Sequence, residues 1–136
     1  MRHYPTIEGR KIRIAVVGCG RIAKNHFGSI ETYPDDFELV SVCDNNQAAL
    51  SLATETYKVT GYLSLSDMLE KEQLDAISIC TPSGIHPDQA EEIAQAGVHV
   101  ISEKPMATRW NDGVRMVKAC DNAGVRLFVV KQNRRN

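Results

Sequence analysis

The 136-residue sequence lacks an excess of either charge: 16 Lys and Arg stand against 17 Asp and Glu, a formal net charge of −1. That balance excludes the basic footprint of a nucleic-acid binder and the acidic tail of a charged adaptor, leaving a small or buried partner as the expectation. No apolar run approaches the ~18 residues of a membrane span. Residues 1–11, MRHYPTIEGRK, also hold no apolar core for a signal peptide. Neither a membrane partner nor export is predicted. Cys19, Cys43, Cys80 and Cys120 form no Cys-x-x-Cys spacing, and three of them fall in or beside strand-like runs. Buried thiols in a reducing cytoplasm fit that pattern better than disulfides or zinc. The histidines form no HxxxH pair and no His/Cys cluster, so no metal is implied. Repeats, low-complexity tracts and linkers are missing too, and the length suits one cored domain, too short for two.

What is present is an alternation of apolar strands and helical segments. Ile12 to Ala23, IRIAVVGCGRIA, reads as a buried strand, a glycine turn and the opening of a helix that Pro34-Asp35-Asp36 stops. Phe37–Cys43 is a second strand; Asn45 or Asn46 can cap the helix to about Tyr57. Residues 58–62 form a weak strand, and Ser64-Leu65-Ser66-Asp67 resembles a capping box. Three further strands are read at 74–80, 98–102 and 126–131. Pro87 suits a first helical position, and Gly97 and Gly124 suit helix ends. Continuous apolar strands alternating with helices predict an α/β protein: a doubly wound parallel sheet of Rossmann type, covered on both faces. The chain then stops at Gln132–Asn136 just past the last strand, where a second domain is expected to begin.

Gly18, Gly20 and Ala23 form GxGxxA: the first glycine for a tight turn, the second for close approach of phosphate, the alanine for close helix packing. Asp44 stands twenty-one residues beyond Ala23 at the end of the second strand, where a carboxylate can accept hydrogen bonds from an adenosine ribose. A 2′-phosphate would meet its charge, and Asn45, Asn46 and Gln47 supply no cation, so NAD is favoured over NADP. Asp44 also reads as a cap for the next helix. Thr81-Pro82-Ser83-Gly84-Ile85-His86 follows the fourth strand beside the switch point of the sheet, as a ligand loop or a plain turn. His86 is ambiguous between the site and a helix cap, and His26 reads as packing. Lys104, between Glu103 and Pro105 at the end of the fifth strand, can hydrogen-bond a substrate hydroxyl and stabilise a developing oxyanion. A methyltransferase would share the glycine turn but would not predict that lysine. Arg134 and Arg135 read equally as phosphate contacts or as the start of a solvated helix.

GCGRIAKNHF, SLSDML, TPSGIHP, SEKPMATRW and VKQNRRN together resemble the N-terminal domain of the glucose–fructose oxidoreductase/inositol dehydrogenase/MocA (Gfo/Idh/MocA) family. Within it, the wording around Lys104 and KQNRRN is most similar to the bacterial UDP-N-acetyl-2-amino-2-deoxyglucuronate 3-dehydrogenases of O-antigen sugar synthesis. The resemblance implies NAD held by Gly18, Cys19, Gly20, Arg21, Ile22, Ala23, Asp44, Asn45, Thr81, Pro82, Ser83, His86, Glu103 and Lys104. It further implies a UDP-linked amino-uronic acid met by Lys104 and Arg134, with Lys104 as the catalytic residue of this stretch. The family's catalytic histidine, in a DxxxH-like motif, belongs to a second, open-sheet domain expected after residue 136, through which members commonly pair as homo-oligomers. These 136 residues alone are therefore expected to hold NAD without turning over a sugar. The other readings left by the residues are a different sugar or polyol dehydrogenase of the family, or a non-catalytic dinucleotide-binding module.

Overall fold

The computed structural model describes residues 4–135, without the Arg135 side chain, so His3 and Asn136 lie outside the described residues. Eleven elements alternate along it: β1 (Ile12–Val17), α1 (Ala23–Thr32), β2 (Phe37–Cys43), α2 (Gln47–Tyr57), β3 (Thr60–Tyr62), α3 (Leu65–Lys71), β4 (Ala76–Ile79), α4 (His86–Gln95), β5 (His99–Ser102), α5 (Trp110–Ala123) and β6 (Leu127–Val129). Single 3₁₀ turns occupy Ser83–Ile85 and Gln132–Arg135. All strands pair parallel, in the order β3-β2-β1-β4-β5-β6. The order reverses between β1 and β4, the switch point of a Rossmann sheet.

Local chemistry accounts for the element ends. The Asn46 side chain accepts the Ala49 N–H at 3.0 Å to start α2, and the Ser64 hydroxyl accepts the Asp67 N–H at 3.2 Å to start α3. Gly124, at φ +70°, ends α5 in the left-handed conformation. Helix α4 begins at His86 rather than Pro87, so the proline sits inside the first turn, where its missing N–H costs no helical bond. The strands at 58–62, 74–80, 98–102 and 126–131 are shorter than their apolar runs, since only residues opposite a partner strand join the ladder.

Two apolar layers pack against the sheet. Ala15, Val17, Ile77, Ile79 and Val100 meet α3, α4 and α5 on one face through Met68, Ile93 and Met116. On the other face, Ile14, Val16 and Val42 meet α1 and α2 through Phe27, Ile30 and Leu50. The expectation of helices on both faces holds through β4, whose four residues are all buried, and weakens in the outer half toward β6. Right-handed crossovers that run outward from β1 toward β6 place every helix of that half on one side. Its opposite side keeps an open groove of about 480 Å³ beside α1, lined in part by Ser78, Ile101 and Val130, and Phe128 is left 48% exposed.

The two ends of the sheet differ. At the end where strands begin, Asp75 closes the ladder. Its backbone N–H donates to Arg13 O at 2.8 Å and its carbonyl accepts the His99 N–H at 2.9 Å. Its carboxylate accepts the Arg13 N–H at 2.7 Å and both arms of the Arg10 guanidinium. At the other end, the ladder continues one residue past each inner strand, through Gly18 N–H to Cys43 O, Cys80 N–H to Val17 O and Glu103 N–H to Ile79 O. Three loops thus leave the sheet at one level, next to the switch point.

Hydrogen bonding from Arg10 holds the Asp75 carboxyl below its ordinary value of 3.8, with burial opposing. A lowered folded-state pKa means that the contribution is present above the unfolded value and is lost as pH falls through the folded one. Asp75→Ala is expected to cost about 1.5–3 kcal/mol near neutral pH, most of it from the unpaired Arg13 N–H, since the exposed Arg10 pair is screened. In urea melts, the gap between wild type and variant should stay flat above about pH 5 and narrow in stronger acid as the Arg10 pairing weakens. A gap independent of pH would refute the assignment.

Candidate functional site

The glycine turn is built against the end of β4. Gly18 has φ +88°, and a Cβ there would lie 2.7 Å from the Cys80 carbonyl carbon and 2.8 Å from Thr81 N, both backbone atoms that cannot yield. Only glycine lets β1 turn this close to its neighbour. Around Gly20, by contrast, a Cβ would meet nothing within 4 Å, so that backbone is open to a ligand. Helix α1 then starts at Ala23 with no side-chain cap and no acidic residue in its first turn. Its companions differ: α2 and α3 have side-chain caps, and α4 and α5 carry Asp88 and Asp112 in their first turns. An uncapped helix start facing an open glycine is what an anionic phosphate needs.

Asp44 sits across this turn. One carboxylate oxygen accepts the Cys19 N–H at 2.8 Å, the other accepts the Asn46 N–H at 2.8 Å, and the helix cap is Asn46 instead. A carboxylate has about four lone-pair directions, so two remain for ribose hydroxyls. Gly18, Gly20, Asp44, Asn45, Thr81 and Pro82 all line one cleft of about 340 Å³, whose walls include Leu63 and Ile85 and no Lys or Arg. This set of groups fits a dinucleotide: an apolar slot, a carboxylate for the ribose and an open glycine backbone at a helix start for the pyrophosphate. Arg21 is exposed at the turn, Ile22 packs beside the groove at α1, and Ala23 is fully buried, which leaves it the packing role alone.

All four thiols are free. Burial, and next the Asp44 carboxylate, push the Cys19 thiol up to about 12, and burial takes Cys80 to the same value. A thiol held that high stays protonated and inert beside the turn.

The loop after β4 is less free than its sequence suggests. The Thr81 hydroxyl donates to the Gln89 side chain, and Ser83 opens the 3₁₀ turn without lining the cleft. His86 is 1% exposed. Its Nε2 lies 2.6 Å from Thr81 O and its Nδ1 3.2 Å from Pro105 O. The readings of His86 as helix cap or cofactor contact are both corrected: the ring is an internal tie between the loops after β4 and β5, with no atom left for a ligand.

Glu103 turns inward, 7% exposed, while Lys104 is exposed beyond it and precedes the cis bond to Pro105. Lys104, Lys131 and Arg134, with Gln132 and Asn133, line a cleft of about 350 Å³ that holds three cations and no carboxylate. Lys104 and Arg134, thirty positions apart, thus line one cleft. Lys131 was not anticipated, although its place just past β6 matches that of Lys104 just past β5. Lys104 also borders a wider apolar cleft of about 670 Å³ along α5, flanked by Trp110, which is 85% exposed.

The model of the oxidoreductase family with an NAD-binding Rossmann fold, Gfo/Idh/MocA, matches residues 12–131. This chain belongs to that family. Among solved structures, it is similar to the WlbA dehydrogenase of Chromobacterium violaceum in complex with NADH and UDP-GlcNAcA, with 56% identity and a TM-score of 0.97 over 100% of this chain and 39% of that one. The WlbA dehydrogenase of Bordetella pertussis, in complex with the same two molecules, is 62% identical, with a TM-score of 0.94 over 96% of this chain and 38% of that one. D-apiose dehydrogenase of Paraburkholderia graminis is 36% identical over 91% of this chain and 33% of its own length. The chain therefore spans between a third and two fifths of these relatives. It is an NAD-binding Rossmann domain of an oxidoreductase family. Among the described residues, no helix is long and apolar enough to cross a membrane.

Asp44→Ala is expected to weaken NAD at least tenfold by calorimetry while leaving a cooperative melt, because only the Cys19 and Asn46 N–H groups lose a partner. Wild type should take NAD in preference to NADP. Unchanged NAD affinity in the variant, or a clear NADP preference in wild type, would defeat the ribose assignment.

Proposed function

We propose that this chain is the cofactor half of a dehydrogenase that oxidises the C3 hydroxyl of UDP-N-acetyl-2-amino-2-deoxyglucuronate in lipopolysaccharide O-antigen sugar synthesis. The observation that carries this reading is the cleft after β5 and β6, where Lys104, Lys131 and Arg134 converge without a carboxylate. A UDP-linked uronic acid brings a diphosphate and a carboxylate, and a cluster of cations at a concave edge concentrates such an anion. Support comes also from the identities of 56% and 62% to dehydrogenases crystallised with NADH and UDP-GlcNAcA.

Gly18, Gly20, the start of α1 and Asp44 would hold the dinucleotide. NAD supplies the hydride acceptor when bound. Lys104 donates a hydrogen bond to the substrate hydroxyl, fixes it for loss of hydride and offsets the negative charge that develops on its oxygen. Lys131 and Arg134 hold the anionic part of the sugar nucleotide. The proton acceptor is assigned to the second domain of the full-length protein, and these 136 residues alone bind NAD without turnover. The full-length protein is expected in the cytoplasm as a homo-oligomer.

Another sugar or polyol dehydrogenase is the competing reading, favoured by the 36% identity to D-apiose dehydrogenase. In the full-length protein, Lys104→Ala is expected to lower kcat on UDP-N-acetyl-2-amino-2-deoxyglucuronate by about 10²–10⁴-fold, with the Kd for NAD within about threefold of wild type. Wild-type turnover of neutral sugars in preference to the UDP-uronate would favour the competing reading. Full activity in the variant would remove Lys104 from the chemistry.

A further inference from the structure

Glu103 is the one carboxylate among the buried polar residues described, the others being Ser41, Ser78, His86 and Ser102. A carboxylate is retained inside a protein only if both oxygens are hydrogen-bonded. One oxygen lies 2.7 Å from His26 Nε2, and the other accepts the Lys104 N–H at 3.1 Å. Glu103 is anchored through its backbone too, by its N–H to Ile79 O at 3.2 Å and by the Ser102 hydroxyl, which donates to its carbonyl at 3.1 Å. Every polar group of this residue is engaged. The Lys104 ammonium, by contrast, makes no hydrogen bond or ion pair with any described residue. It is a free cation on a backbone that its neighbour's side chain holds in place.

His26 belongs to α1, the helix whose uncapped start faces the glycine turn. The His26 and Glu103 side chains are 11% and 9% exposed and border the groove beside α1. Lys104 lines the two clefts on the far side of its loop. The pair therefore does not share the substrate cleft, and it reaches the lysine through one backbone bond. As a simple packing device, a buried polar pair is a poor choice, because an apolar pair of the same shape can stabilise as well. Its position between cofactor helix and lysine loop gives it another use.

We propose that His26 and Glu103 are positioning residues: together they tie α1 to the loop after β5 and set where the Lys104 ammonium stands. This rests on the reading of Lys104 as the group that meets the substrate hydroxyl. A lysine moved by a fraction of a bond length loses its hydrogen bond in the transition state more than in the ground state, so the effect falls on kcat.

The test uses the full-length protein with NAD and UDP-N-acetyl-2-amino-2-deoxyglucuronate. His26→Ala is expected to lower kcat by about 10- to 100-fold, with the KM for NAD within about threefold. His26→Gln, which keeps a donor near the Nε2 position, should recover kcat to within about threefold of wild type. The double variant His26→Ala/Glu103→Ala should be no slower than Glu103→Ala, since both changes break one linkage. Should His26→Ala not fold, His26→Phe against His26→Gln makes the same comparison, the first filling the site without a donor. Wild-type kcat in His26→Ala, equal kcat in the Gln and Phe variants, or multiplicative losses in the double variant would each overturn the proposal. Lys104→Ala separates the two readings. If it loses activity while His26→Ala keeps wild-type kcat, the linkage alone fails; if it keeps wild-type kcat itself, both fail.

Discussion

The approach of the Gly18 backbone to the end of β4 is the constraint on which the site depends. With a Cβ position 2.7 Å from a carbonyl carbon, the first turn can lie against Cys80 and Thr81 only because residue 18 has no side chain. That contact fixes the turn at the switch point. It sets the direction in which α1 leaves, the distance between the turn and Asp44, and the side on which the loop after β4 must pass.

From there the functional edge is assembled by hydrogen bonds between loops. Asp44 joins the turn to the end of β2 through the Cys19 N–H. His86 ties the loop after β4 to the loop after β5, and Glu103 ties the loop after β5 back to α1. Each tie uses a polar side chain that is buried or half-buried, where an unmet donor or acceptor is costly, so the loops hold one arrangement. The opposite end of the sheet is closed by Asp75 and its arginines, far from any ligand loop. Stability and function are thereby placed at different ends of the same strands. This is the division expected of a parallel sheet, whose loops after the strands collect at one edge.

Charge is distributed to match. The cleft at Asp44 has one carboxylate and no cation, suited to a ribose with a free 2′-hydroxyl. The cleft at Lys104 has three cations and no carboxylate, suited to an anion. The first lies over the switch point, against the ends of β1, β2 and β4, and the second lies past β5 and β6. A single edge thus carries two clefts of opposite charge.

The sequence alone determined whatever depends on local pattern. Strand and helix order, the parallel sheet, the glycine turn, the carboxylate at the end of β2 and the lysine after β5 are each written in short-range spacing, because apolar periodicity and turn chemistry act over a few residues. The helix boundary at His86, the shortened strands and the partly open face of β5 and β6 depended on which partner each segment met. Tertiary structure alone decided the surroundings of His26, His86 and Lys131. His26 and Glu103 are far apart in the chain, and nothing in either segment marks the other. Their meeting follows from the fold, which seats His26 of α1 in the groove that also borders Ser78, Ile101 and Glu103. A long-range hydrogen bond between buried groups has no local signature, so only the folded chain could turn a histidine read as packing into a link to the lysine loop.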